Sequence, residues 1–435
     1  MSYHYENSKD LNSNEGLIYI AFVGNYELYR EMITNFMNHE GYGFVYVDSL
    51  EEVDKFSRGE VDAIVMPAEM ECEALPKSSA DIIRVTKNKD LAMDDVFLIS
   101  DEKTAQTRNI TFINEDGEKK SQRNEMSHTE TAMDYITAHA LYRRRKKLLK
   151  DFQNTIQTII SPEGTLDEDK LLKLFEAKDK TVLGHVKSVA SLVTQMGFGL
   201  RTLGINISDE ELDKARKVGL VHDLGKLYTP DQLLKNTDDF YPGEYLEMQR
   251  HADICYDFSV SEEVNQLIEL AKMHHYRYDG KGYSGKENDD NNQQMLGNDI
   301  PLIAKMMITL DAFDAITDIS RGYQVQAANS ISPLENSIDI LLRNSGTQFD
   351  PVCTQAFLIG FREAFIKDEN FRNEWMMRER AYHDERSKHL TKHHNLGSIE
   401  SFNPEKHQYD IIDKLDNTIQ AFENMQNSNT SNKNL

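Results

Sequence analysis

Five of the 14 histidines in this 435-residue chain fall between positions 185 and 275, each beside an apolar helical stripe. His185 flanks the stripe Val182, Val186, Val189 and Val193. Ala215, Val218 and Val221 form a second stripe that runs into the doublet His222-Asp223, and His251 follows. Leu267, Leu270 and Ala271 lead to His274 and His275, while Ile303, Met307 and Leu310 lead to Asp311. A lone buried histidine is more often a hydrogen-bonded core residue than a ligand. An adjacent His-Asp pair at a buried helix end is different, because it is costly unless paired or metal-bound. Together the seven groups describe a metal centre. Imidazole and carboxylate without thiolate suit octahedral or five-coordinate iron or manganese, and also accept zinc or magnesium.

Such a centre needs several helices converging on one core. From about residue 155 onward nearly every segment has helical periodicity, which predicts an all-α C-terminal region. The N-terminal part reads differently. Leu17 to Val23, Gly43 to Val47, Ala63 to Met66 and Val96 to Ile99 are short apolar runs separated by helical patterns, the signature of a doubly wound α/β sheet. Their order resembles a response-regulator receiver domain. Gly24-Asn25 and Met66-Pro67 stand where that family carries its acidic pair and phosphoacceptor aspartate, so a degenerate receiver-like module without acyl-phosphate chemistry is expected. The predicted organisation is a disordered tail (1–15), the receiver-like domain (16–132), a helical linker (133–157), the helical metal domain (158–372), and a charged helix with a disordered tail (373–435).

The formal charge of −24 argues against a protein that holds long nucleic acid by counterion release. The one dense basic cluster, Arg143 to Lys147, reads as one face of a solvated connecting helix. Three widely spaced cysteines fit no disulfide framework, and no apolar run is long enough to span a membrane, so a cytoplasmic protein is expected. His383, His389, His393 and His394 lie in a charged stretch that reads as a solvated helix without a buried face, and Trp375 reads as packing.

The segment from about Leu171 to Phe365 resembles the HD-GYP subgroup of HD-domain phosphohydrolases. Asp179 to His185 is similar to its opening motif and His222 to Lys226 to its name-giving doublet. His274 to Tyr283 is similar to its second signature, and Leu296 to Leu302 with Asp311 to Ala315 completes the pattern. The resemblance implies a helical phosphodiesterase that hydrolyses cyclic di-GMP in bacterial second-messenger signalling. It places His185, His222, Asp223 and Asp311 on one metal and Asp223, His251, His274 and His275 on the other. Asp223 would bridge, a shared water would be the nucleophile, and Lys226 would steady phosphate charge or protonate the leaving oxygen. Some members carry a Glu one helical turn before the first His and bind a third metal; Thr181 stands there, which implies two.

Two motifs depart from the family. Gly282-Tyr283-Ser284 replaces Gly-Tyr-Pro, keeping the tyrosine as a ligand contact. Arg321-Gly322-Tyr323-Gln324 replaces Arg-Pro-Tyr-Lys, keeping Arg321 as a bidentate phosphate ligand but losing a cation. The expectation is a phosphodiesterase giving linear pGpG, with GMP as a further product. The rivals are a phosphohydrolase of another cyclic nucleotide and a non-catalytic cyclic di-GMP-binding scaffold. A signalling protein at the N-terminal domain and a second copy of the chain are the partners left open.

Overall fold

The computed structural model describes residues 154–235, 242–252, 261–282, 295–318, 332–394 and 402–432, together with Phe240 and the strands and single residues between 18 and 148 named here. Two compact units emerge. The first comprises Met1–Thr155 with Tyr228–Arg250, the second Ile156–Leu227 with His251–Leu435.

The first unit is built on a five-stranded sheet of β1 (Ile18–Val23), β2 (Tyr42–Val47), β3 (Ala63–Pro67), β4 (Asp81–Lys87) and β5 (Val96–Ser100), in the order β2-β1-β3-β4-β5. The first four strands pair in parallel and β5 runs antiparallel to β4. At that edge the sheet departs from an all-parallel arrangement. A separate two-stranded ribbon joins β6 (Phe112–Ile113) to β7 (Lys119–Lys120). Ile18, Ile20 and Phe22 bury one face with Ile136, Ala140 and Leu141 of the connecting segment. The apolar i, i+4 face of that segment is therefore anchored rather than solvated; of the basic cluster, only Arg144 lies among the described residues.

A segment that interrupts the second unit in sequence belongs to this core. The segment Tyr228–Arg250, which carries the short helices α4 (Asp231–Lys235) and α5 (Pro242–Gln249), brings Leu233 into the core with Phe240 and Met248 packed against it. The buried Tyr42 hydroxyl donates to Glu244 Oε1 at 2.7 Å.

The second unit is helical. It contains α1 (Glu168–Lys178), α2 (Lys180–Thr202), α3 (Asp209–Val221), α6 (Glu262–Ala271), α7 (Leu302–Thr317), α8 (Pro333–Arg343), α9 (Pro351–Lys367), α10 (Glu369–His394) and α11 (Pro404–Asn432). The starts are specified locally. Asp179 accepts hydrogen bonds from the amides of Thr181 and Val182, Ser208 and Glu211 form a reciprocal capping box, and Ser261 and Ser332 cap α6 and α8. No described helix is long and apolar enough to cross a membrane.

The C-terminal region differs from the sequence expectation of a charged helix without a buried face. Trp375, Glu379 and Tyr382, spaced i, i+4, i+7, are all buried on α10, and Ile411 and Leu415 are buried on α11. The few apolar positions among many charges hid the stripe. Trp375 is indeed packing, set among Phe313, Phe361 and Phe371. Buried Glu379 accepts from the Leu334 amide at 2.8 Å and pairs with His407 Nε2 of α11 at 2.8 Å.

Burial works against the charge on His407, but the Glu379 bond outweighs it, with Glu335 and Asp410 adding to the pull, so its pKa is raised above the ordinary 6.5. A raised folded-state value stabilises the fold fully below 6.5 and loses that contribution as pH climbs through the folded pKa. The Tm loss caused by His407→Ala should therefore be larger at pH 6 than at pH 9; an equal loss at both would make the contact charge-independent.

Candidate metal centre

Five segments deliver the polar groups to one place. His185 sits one turn into α2, where the buried stripe Val182, Val186 and Val189 turns its ring inward. His222 caps α3, Asp223 follows, and a 3-10 turn from Leu224 to Tyr228 carries Lys226. A short 3-10 turn at Arg250–Ala252 presents His251, and another, continuing α6, presents His274 and His275. Asp311 projects from α7.

The groups form two sets around Asp223. Its Oδ2 lies 3.4 Å from Nε2 of both His185 and His222, and its Oδ1 lies 3.4 Å from His251 Nε2 and 3.9 Å from His274 Nε2. Asp311 Oδ1 stands 3.0 Å from His185 Nε2 and 3.7 Å from His222 Nε2. In the other set, His251 Nε2 is 3.2 Å from His274 Nε2 and 3.0 Å from His275 Nε2. Two groups of donor atoms able to hold a metal ion result, His185-His222-Asp223 and His251-His274-His275.

Hydrogen bonds on the far side of the rings decide which nitrogen faces inward. A carbonyl or carboxylate oxygen can only accept. Nδ1 of His222 therefore donates to Gly219 O at 2.8 Å, Nδ1 of His274 to Ala271 O at 2.7 Å, and Nδ1 of His185 to Asp314 Oδ2 at 2.7 Å. Each leaves Nε2 to offer its lone pair to the centre. His185 and His222 bring these nitrogens within 3.2 Å of each other, a repulsive arrangement unless a proton or a cation lies between them. The residues thus fit a divalent metal on donor chemistry as well as on position.

The electrostatics agree. Burial lowers the affinity of His185 for a proton, but its bonds to Asp311 and Asp314 prevail and raise its pKa to about 9. Burial and then the neighbouring His222 push His274 down to about 3, and burial with His274 pushes His275 well down. Burial opposes ionisation of Asp223 and Asp311, yet Lys226 and His222 hold Asp223, and His185 and His222 hold Asp311, well below the ordinary carboxylate range. Ionised carboxylates of Asp223 and Asp311 beside His274 and His275, which burial keeps from holding a proton, form a strong cation trap.

Lys226 Nζ reaches Asp223 Oδ2 at 2.6 Å. Tyr283 and Arg321, the two expected substrate contacts, lie outside the described residues. The loop leading to Tyr283 is fixed from both sides: the amides of Tyr278 and Asp279 donate to Gln348 and Thr347 carbonyls, and Asp279 takes both bonds of a fork from Arg277. Beside His185 opens a cavity of about 310 Å³ lined by Lys180, Thr181, Ser188, Asp314 and Arg378, among others. Asp314 was visible in sequence as the second carboxylate of the Asp311 motif, but no role attached to it. Its i, i+3 spacing from Asp311 was the signal.

Residues 173–353 match the HD domain family. The chain is 26% identical over 243 residues to the probable cyclic di-GMP phosphodiesterase of Vibrio cholerae, covering 52% of each protein. It is 28% identical over 198 residues to the cyclic di-GMP phosphodiesterase response regulator RpfG of Xanthomonas campestris pv. campestris, covering 44% of this chain and 46% of that protein. It is 32% identical over 156 residues to the 3'3'-cGAMP-specific phosphodiesterase 1 of Vibrio cholerae, covering 35% and 33% respectively. The matches thus span about half the length of the first two relatives and a third of the last. With the buried His222-Asp223 doublet near its start and His274-His275 further along, the region from 173 to 353 carries at its core the histidine and aspartate pair that gives the matched HD domain family its name.

Proposed function

We propose that this chain is a metal-dependent cyclic dinucleotide phosphodiesterase that opens cyclic di-GMP to linear pGpG. The observation that carries the reading is Asp223, whose two oxygens face two separate histidine sets while Lys226 holds one of them. We assign His185, His222, Asp223 and Asp311 to one divalent ion and Asp223, His251, His274 and His275 to a second, with iron or manganese the best match to the donors. Bound there, the two ions would supply Lewis-acid polarisation of the phosphodiester and a water of lowered pKa.

The protein's own groups do the rest. Asp223 keeps both sets in register, and the outward Nδ1–H bonds keep the Nε2 lone pairs of His185, His222 and His274 turned inward. Lys226, largely shielded beside Asp223, has two further ammonium N–H donors to offer to a non-bridging or leaving oxygen. Tyr283 and Arg321 are proposed as base and phosphate contacts from the sequence pattern alone. The strand order of the first unit supports a receiver-like module in which Met66 and Pro67 preclude phosphoryl transfer. A signal would reach that unit through a partner.

A second substrate has a specific observation behind it: a relative 32% identical over 156 residues is named for 3'3'-cGAMP. Protein purified anaerobically, loaded with iron or manganese and offered both cyclic dinucleotides, tests the reading by product identity. Linear dinucleotide from cyclic di-GMP supports it; turnover of 3'3'-cGAMP alone moves the substrate, and binding of either without turnover makes the chain a scaffold.

Two variants refine the assignment. Lys226→Met should retain metal and lose about 10²–10³-fold in kcat; an unchanged kcat would leave Lys226 as a structural partner of Asp223. Thr181 lines the cavity beside His185, one turn earlier on α2, so Thr181→Glu should add a carboxylate facing that cavity and raise the metal stoichiometry or carry product on to mononucleotide. Three occupied ions in the unmodified protein would show that another residue already fills the role.

A further inference from the structure

The HD match ends at residue 353, yet a side chain from α10 completes the support of His185. Asp314 is 2% exposed and both its oxygens are engaged. Oδ2 accepts the Nδ1 proton of His185 at 2.7 Å. Oδ1 accepts from the Ser188 hydroxyl, one turn further along α2, and faces Arg378 Nη1 at 3.4 Å. Arg378 is itself held on three sides. Its Nη2 reaches Glu374 Oε1 at 2.9 Å and Ser188 Oγ at 3.5 Å, and the guanidinium carbon lies 4.3 Å from the centroid of the Trp375 ring. Trp375 is 2% exposed within an aromatic cluster, so the platform beneath the guanidinium is rigid.

We propose that Arg378 is a positioning residue for the first metal: it fixes the Asp314 carboxylate, which fixes the His185 ring with Nε2 toward the centre. The proposal rests on the assignment of His185 as a metal ligand and deepens it. The physical need is plain. With a metal on Nε2 the His185 ring would be neutral, so the buried carboxylate that accepts from it and from a hydroxyl would lack a compensating positive charge and gain by turning toward solvent. The cavity lined by Asp314, Ser188 and Arg378 gives it room to do so. Arg378 supplies that charge from the cavity side, and the fork geometry with stacking on Trp375 holds it in one orientation. Carboxylates that orient metal-ligating histidines are worth about 10–100-fold in metal affinity. The C-terminal helix therefore acts on the metal site without touching it, through a single arginine.

The test is a Mn²⁺ titration of the full-length, chelator-stripped protein, followed by calorimetry and requiring no substrate. Arg378→Met should weaken one of the two Mn²⁺ sites about tenfold and leave the other unchanged. Arg378→Lys should recover part of the loss, because the charge returns but the planar stack does not. Asp314→Asn should weaken the same site 10–100-fold, and adding Arg378→Met to it should cost nothing more, since the arginine acts through Asp314. Loss of Tm in Arg378→Met with both Mn²⁺ affinities intact would make Arg378 a packing residue and overturn the proposal, as would additive effects in the double variant. Should Arg378→Met not fold, Ser188→Ala alone and combined with Arg378→Lys reads the same oxygen of Asp314. A wild-type protein that binds two Mn²⁺ ions but hydrolyses no cyclic dinucleotide would defeat the functional proposal while leaving this one open to the same titration.

Discussion

Asp223→Ala should empty both halves of the centre and abolish turnover. The other six groups serve one histidine set each, whereas Asp223 places Oδ2 3.4 Å from His185 and His222 and Oδ1 3.4 Å from His251. Removing it takes an anionic donor from each set and leaves Asp311, on the His185 side, as the one carboxylate among the seven groups. It also strands Lys226, whose 2.6 Å partner is lost beside what was an anionic site. The expected loss in kcat exceeds the roughly 10²–10³-fold that a single preorganised electrostatic group is worth, and metal-to-protein ratio should fall in parallel. His222→Ala, by comparison, should deplete only the set shared with His185. Metal analysis by mass spectrometry together with a product assay reads both outcomes. Full occupancy and rate in Asp223→Ala would remove it from the centre.

Much of this centre was legible in the sequence because the side chains grouped there coincide with strong local signals. His222 follows the stripe Ala215, Val218 and Val221, and His274 follows Leu267 and Ala271, so periodicity alone pointed both rings into a core. The caps at Asp179, Ser208 and Ser261 set where α2, α3 and α6 begin and hence which residues face inward. What stayed hidden depends on distance along the chain. Arg378 meets Asp314 across 64 positions, and nothing in the run of charges around it distinguishes it from Arg380 or Arg386. Leu233, Phe240 and Met248 fall within the 158–372 span expected to form the helical metal domain, yet they pack into the core of the first unit. The direction of β5 was equally invisible, since an apolar run carries no record of whether its partner is parallel. Trp375, Glu379 and Tyr382 form a stripe too sparse to stand out from its charged surroundings.

Gly225→Ala should damage the centre as severely as loss of a ligand, although glycine touches no metal. A Cβ at position 225 would lie 1.8 Å from the carbonyl oxygen of His251, 2.6 Å from its carbonyl carbon and 2.8 Å from its Cα. These are backbone atoms, so no side-chain rotation relieves the overlap. Either the turn that carries Asp223 and Lys226 or the turn that carries His251 has to move, and either shift breaks the 3.4 Å register between Asp223 Oδ1 and His251 Nε2. A shift near 1 Å far exceeds the roughly 0.2 Å tolerance of metal–ligand distances, and misplacement on that scale costs about 10²-fold in rate. The expected result is a folded protein, helical by circular dichroism, that has lost metal from the His251 set and nearly all activity. Gly184→Ala is the matched control: position 184 lies next to His185 in α2, and a Cβ there meets nothing within 4 Å. Alanine in that helix should hold or slightly raise Tm, consistent with a preference of up to about 1 kcal/mol over glycine, and retain both metals. If Gly225→Ala also retains both metals and the full rate, the His251 turn yields without cost, and the close approach of the two turns is not what keeps the ligands in register.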